Sequence, residues 1–233
     1  MGLIILIETA TEVCSVALAK DGQLISLREI SDGNSHSANV AVFLDEVLKE
    51  AGKIPKDLDA VAVSKGPGSY TGLRIGVSSA KGLSYGLSIP LISINTLKSM
   101  CKGVLEKHKA TDHSAFFCPM IDARRMEVYS AFYDGKLQMI RDVQADIVDE
   151  NSYEEYLAQH PVYFFGNAAL KCKEVLSKHP NAFFIEDIQL SAANMAELAE
   201  EKYKQAAFEN AARFEPFYLK DFIAAKAVVK GLY

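Results

Sequence analysis

The sequence predicts an α/β fold in which one βββαβαβα unit is built twice, and three observations carry this. Two apolar, β-branched runs, LIILIE (Leu3–Glu8) and AFFCPMI (Ala115–Ile121), each open a series of three strand-like segments. An Asp-Gly pair stands at matching places in the two series, Asp21-Gly22 and Asp134-Gly135, and this dipeptide is a strong hairpin-turn signal. A local echo precedes each pair: Glu12-Val13-Cys14-Ser15 in the first half and Glu127-Val128-Tyr129-Ser130 in the second.

The elements follow in order. LIILIE reads as a strand buried on both faces, VCSVALAK as its partner across a turn, and QLISLREI as a third strand after Asp21-Gly22. SDGNSHS (Ser31–Ser37) is a polar loop rich in helix-capping residues. Val40, Phe43, Leu44, Val47, Leu48 and Ala51 then recur at helical spacing, and Gly52 is placed to end that amphipathic helix. A strand over Asp59–Val63 leads into the loop SKGPGSYTGLRIG (Ser64–Gly76), a helix to about Tyr85, the strand PLISI (Pro90–Ile94), and a helix capped by Asn95 or Thr96. The second half repeats the order: strands at Ala115–Ile121, Met126–Tyr133 and Lys136–Val143, a helix over Tyr153–Gln159, a strand at Val162–Gly166, a helix over Leu170–Lys178, a strand at Ala182–Glu186 and a helix over Ala192–Ala207. The polar stretch Glu106–Ser114 is the expected linker. The expected domains are 1–108 and 109–215, with a helical segment 216–233 docking back on the first.

Bulk properties narrow the classes. A chain of 233 residues, 49% hydrophobic, can bury a core without disulfide or metal staples. A formal net charge of -5 excludes a global basic field for nucleic acid or anionic membrane, so contact with RNA would need a local patch. Cys14, Cys101, Cys118 and Cys172 lie far apart and form no CxxC pair, as expected of buried, reduced thiols in a cytoplasmic protein. The opening apolar run is too short to span a bilayer and lacks signal-peptide flanks, so no membrane association is expected.

SKGPGSYTGLRIG suggests a phosphate cradle, but it lacks the lysine and hydroxyl that follow the last glycine of a P-loop. Its glycines are one residue too widely spaced for a dinucleotide fingerprint. Gly68, Gly72, Gly76, Ala80 and Ser84 instead fall every fourth residue, and Ser78, Gly82 and Gly86 form a second small row. Each helical glycine costs about 1 kcal/mol relative to alanine, so such a row needs a backbone that approaches closely. That backbone belongs either to the protein's own sheet or to a partner's helix, and the row alone does not choose. Glu8 and Asp122 end the opening strands of the two units and could form a carboxylate pair in the cleft between them, or stand as solvated turn acids. Neither of their turns, ETATEV and DARRMEV, carries the glycine that a phosphate loop needs. Of the five histidines (36, 108, 113, 160 and 179), none forms the i, i+4 pair of a helical metal site, so no metal is expected. His36 reads as a capping or surface residue, and Arg124-Arg125 as a solvated turn able to meet an anion.

Two βββαβαβα units are the layout of the duplicated ribonuclease-H-like (ASKHA) fold shared by actin, Hsp70 and sugar kinases, a layout that carries no function by itself. The motifs go further. ILIETATEVCSVAL (Ile5–Leu18), SHS opening the first helix, SKGPGSYTGLRIG, DARRMEVYSAFY (Asp122–Tyr133) and, faintly, EPFYL (Glu215–Leu219) together resemble the TsaB (YeaZ) family. The core motif departs only at Tyr70, where phenylalanine is common in the family. Residues 150–213 carry little of the likeness.

The resemblance implies a non-catalytic subunit of the bacterial tRNA threonylcarbamoyladenosine (t6A) machinery. It implies pairing with TsaD, which carries metal and catalysis, and cooperation with the ATPase TsaE to move threonylcarbamoyl from its adenylate to the adenosine next to the anticodon. It also implies dimerisation with TsaD, or with itself, through the first two helices. On that reading His36, Val40, Phe43, Leu44, Val47, Gly72, Arg74, Gly76 and Ala80 supply the interface. The chain then has no cofactor of its own, ATP/ADP and metal belong to partner subunits, and tRNA is met through the complex. The competing reading is an ATP-dependent phosphotransferase whose cleft would use Glu8, Thr9, Gly66, Gly68, Ser69, Asp122 and Arg124. A nuclease would need several converging carboxylates on two metals, and only Glu8 is clearly placed for that.

Overall fold

The computed structural model describes residues 2–31, 36–108 and 114–220. Two five-stranded sheets are present, and their strand orders match. In the first the order is β3-β2-β1-β4-β5, from β1 (Leu3–Glu8), β2 (Val13–Lys20), β3 (Gln23–Ser31), β4 (Ala60–Gly66) and β5 (Leu91–Asn95). In the second it is β8-β7-β6-β9-β10, from β6 (Phe116–Asp122), β7 (Glu127–Asp134), β8 (Met139–Ile147), β9 (Val162–Phe165) and β10 (Ala182–Ile185). The first three strands of each sheet run antiparallel and the last two join in parallel, which is the duplicated ribonuclease-H-like arrangement.

Both faces of β1 are covered, as its unbroken apolar run requires. Leu3, Ile5 and Ile7 pack with Val40, Val47, Val77 and Ala80, which belong to α1 (His36–Glu50) and α2 (Tyr70–Leu87). Ile4 and Leu6 face the opposite way, onto a short 3-10 turn (Ala192–Met195) and α6 (Ala196–Lys204). In the second sheet Cys118 and Met120 pack on α4 (Glu154–Leu157) and α5 (Ala169–Leu176). Phe117 and Ile121 meet Leu97, Met100, Cys101 and Val104 of α3 (Thr96–His108).

The last helix of each half therefore covers the sheet of the other half. Beside the expected division into 1–108 and 109–215, α3 packs on β6 and β7 of the second sheet as well as on β4 and β5 of its own, while residues 192–214 lie on the first sheet. Past α6 the chain lays Glu209 N on Leu91 O at the edge of β5, and Lys81 Nζ of α2 takes the carbonyls of Ala212 and Phe214. Phe217 N then closes on Lys65 O at 2.7 Å. The expected C-terminal helix lies outside the described residues except for 216–220, which carry no helix. Of the expected linker, Glu106–His108 continue α3 and 109–113 are outside the described residues.

Turn chemistry sets the two Asp-Gly pairs apart. Asp21 and Gly22 hold φ of 56° and 80°, a two-residue hairpin turn that fits the twist of its strands. Asp134-Gly135 instead opens a longer loop: the Asp134 carboxylate takes the amides of Lys136 and Gln138, Leu137 adopts the left-handed region, and β8 starts at Met139 rather than Lys136. The expected helix over Tyr153–Gln159 shortens to Glu154–Leu157. The four cysteines are buried in the cores. Among the described residues no helix is long and apolar enough to cross a membrane.

Candidate partner-docking face and the turn beneath it

The β1–β2 turn, Thr9–Glu12, is the hub of the first unit. Glu8 is fully buried, and its Oε1 accepts from the amide of Ala10 and the hydroxyl of Ser64, both at 2.7 Å. Among the described residues its Oε2 has no hydrogen-bond partner. Burial pushes the carboxyl up to about 7, against the pull of the Ala10 amide, the Ser64 hydroxyl and the Thr9 amide. Thr9 Oγ1 donates to Gly72 O at 2.8 Å, and Ser69 N closes on Ala10 O. Ser69 also caps α2 through the amide of Gly72.

The glycines of SKGPGSYTGLRIG are small because of this turn. A Cβ on Gly68 would lie 2.3 Å from Ala10 O, one on Gly72 2.1 Å from Thr9 O, and one on Gly76 2.3 Å from Thr9 Oγ1. Gly66 holds φ of 111°, its amide donates to Thr96 Oγ1, and a Cβ there would meet Phe217 O at 2.8 Å. The space a phosphate would need against these backbones is filled by the protein's own turn and tail. The residues present do not fit a nucleotide phosphate at this turn.

The expected interface changes accordingly. Val40, Val47, Gly72, Gly76 and Ala80 are buried within the first unit and cannot contact a partner. His36 is buried too, with Nε2 at 2.8 Å from Thr11 O, so it ties α1 to the hub. Phe43 and Leu44 are half-buried against the same core. Arg74 is exposed, but its guanidinium lies over the Tyr70 ring and donates to Tyr218 Oη, the tail's anchor. What the two helices leave open is their other side: Ala38, Ala41 and Val42 on α1, with Ser78, Gly82, Tyr85 and Gly86 on α2. Tyr85 is 88% exposed and Val42 50%, and a Cβ added at Gly82 or Gly86 meets nothing within 4 Å. This second small row was visible in the sequence at the same four-residue spacing.

The cleft set does not converge. Asp122 is exposed, paired with Lys171 Nζ, and takes the amide of Arg124, whose own side chain is exposed in a left-handed turn. Glu12 of the first turn accepts from Asn167 of the second unit, and Asn167 accepts from the Asp122 amide, so the two units are stitched together near their turns. Among the described residues no group of three His, Cys, Asp or Glu could hold a metal ion.

Two matching sheets, exchanged last helices and paired turns facing each other define a protein of the duplicated actin-like class. Over residues 32–231 the chain matches the family profile described as TsaD: tRNA N6-adenosine threonylcarbamoyltransferase. The Haemophilus influenzae protein named tRNA threonylcarbamoyladenosine biosynthesis protein TsaB is 29% identical over 94% of this chain and 94% of its own length. The Escherichia coli protein of the same name is 40% identical over 56% of this chain and 54% of its own. A solved structure titled YeaZ from Pseudomonas aeruginosa shares the fold, with a TM-score of 0.77, 22% identity, and 94% of this chain and 100% of that one covered. The chain belongs to the tRNA N6-adenosine threonylcarbamoyltransferase family, among its TsaB (YeaZ) members.

Proposed function

We propose that this chain is a non-catalytic subunit in the synthesis of threonylcarbamoyladenosine on tRNA, and that it works by docking a TsaD-type partner on the outer face of α1 and α2. The carrying observation is the contrast between the two small rows of α2. Gly72, Gly76 and Ala80 are consumed by the protein's own turn and core, whereas Gly82 and Gly86 face open space beside the exposed Tyr85. A row without side chains next to an exposed aromatic admits another helix closely and supplies apolar area once covered. The glycine seam beneath fixes α2 to the β1–β2 turn, so the face is presented on a rigid base.

On this reading catalysis, ATP/ADP and metal reside on partner subunits of the TsaD and TsaE kinds, and tRNA is met through the assembled complex. The chain could also pair with a second copy through the same face, and its place is the cytoplasm, where tRNA is modified. The test mixes pure chain with a TsaD-type protein from the same organism, follows co-elution by size exclusion, and assays ATP turnover by the chain alone. Co-elution, with turnover only in the complex, is expected. Turnover of Mg²⁺-ATP by the isolated chain would favour the phosphotransferase reading and overturn this one.

A further inference from the structure

The half-buried lysines among the described residues fall into two groups. Lys102 and Lys171 are paired with carboxylates, and Lys81 holds the tail carbonyls. Lys65 and Lys98 have no carboxylate partner among the described residues, and Lys202 Nζ reaches only a carbonyl, Ser93 O, at 2.6 Å. These three lie together. Ser93, Ile94 and Asn95 of β5 run beside Val63, Ser64 and Gly66 of β4, leaving Lys65 at the bulge between the two strand ends. Adjacent strands are about 4.8 Å apart. Asn95 Oδ1 accepts from Lys98 N in the first turn of α3, and Lys202 reaches in from α6.

We propose that Lys65, Lys98 and Lys202 form a binding site for a small phosphate-bearing ligand at the C-terminal ends of β4 and β5. Ends of parallel strands are where open α/β sheets take ligands. Burial, then the neighbouring charge of Lys65, with Lys98 contributing further, holds the Lys202 amine below its usual range. The opposing acid that acts on it is Glu209, one of whose oxygens already accepts from Ser93 Oγ. Three ammonium groups held close with one shared carboxylate repel one another, and a phosphate group with about two negative charges and three acceptor oxygens relieves that repulsion. Lys98 also forms part of the wall of an open groove between α3 and α6, where Leu105, Leu137 and Leu198 stand beside Lys102 and Lys136 and the carboxylates of Glu106 and Glu201, and the uncharged part of such a ligand would lie against the leucines. The site takes Lys65 from the start of SKGPGSYTGLRIG but none of the Gly68, Gly72 and Gly76 contacts with Thr9 and Ala10, and it stands independently of partner docking.

The test follows the thermal midpoint of the full chain while inorganic pyrophosphate is titrated at an ionic strength fixed with sodium chloride, with ADP as a parallel arm. A saturable rise is expected. Lys98→Gln and Lys202→Gln should each weaken the apparent affinity roughly tenfold, whereas Lys81→Gln leaves it unchanged. Removing one of three like charges leaves the ligand-free midpoint equal or higher, so the lost response is not unfolding. ADP acting at lower concentration than pyrophosphate supports the site with the nucleoside in the groove, and equal action supports recognition of phosphate alone. No saturable rise, or Lys98→Gln and Lys202→Gln responding as the parent does, overturns the proposal.

Discussion

The two halves of the molecule place an acid at the end of the same strand and treat it in opposite ways. Glu8 is sealed beneath its turn with no ion-pair partner among the described residues, whereas Asp122 is exposed and paired with Lys171. The difference lies in what covers the turn. In the first half Gly68, ahead of α2, presses its backbone onto Ala10, and Gly72 and Gly76 of α2 press theirs onto Thr9. In the second half the close approach is that of Gly166 to Met120 O, on the strand ahead of the turn, and the DARRMEV turn itself leaves Arg124 and Arg125 exposed. Duplication preserved the strand order, and the two turns diverged into a dry joint and a wet one.

The comparison can be broken most sharply at the seam. Gly72→Leu drives a side chain into Thr9 O, where even a Cβ would stand at 2.1 Å, and should cost at least about 4 kcal/mol in urea denaturation. Next is Glu8. The folded chain holds its proton to about pH 7, whereas an unfolded chain releases it near 4.5. Between those values the folded state binds more protons, so the stabilisation present below pH 4.5 is lost as pH rises through 7. Glu8→Gln should flatten that part of the stability–pH curve and leave the variant more stable than the parent at pH 8 by up to about 3 kcal/mol. Gly82→Ala on the open row should stabilise the chain by about 1 kcal/mol, the ordinary helix preference with no clash to offset it. Asp122→Asn should shift the same denaturation curve by less than about 1 kcal/mol, because its ion pair is solvent-screened.

The strands, the helices and their duplication were legible from apolar runs, helical spacing and the Asp-Gly pairs, because those signals are local. Four features were not. A small residue every fourth position describes two rows of α2 equally well, and the residue that fills the space over Gly72 is Thr9, 63 positions away. The exchange of α3 and α6 was also hidden, since an amphipathic stripe requires an apolar face to cover without naming which sheet provides it. The left-handed Leu137 that lengthens the second Asp-Gly loop is a non-glycine residue in a conformation glycine favours, and composition gives no sign of it. His36 was misread for a related reason: a polar residue at a helix start looks exposed until Thr11 is brought over it.

The central claim is that partner docking uses the outer face of α1 and α2. It is tested most directly by a Val42→Glu/Tyr85→Glu variant, which charges that face at its two most exposed apolar side chains. The account predicts an unchanged thermal midpoint and loss of co-elution with the TsaD-type partner on size exclusion. A variant that co-elutes with the partner as fully as the parent chain would contradict it.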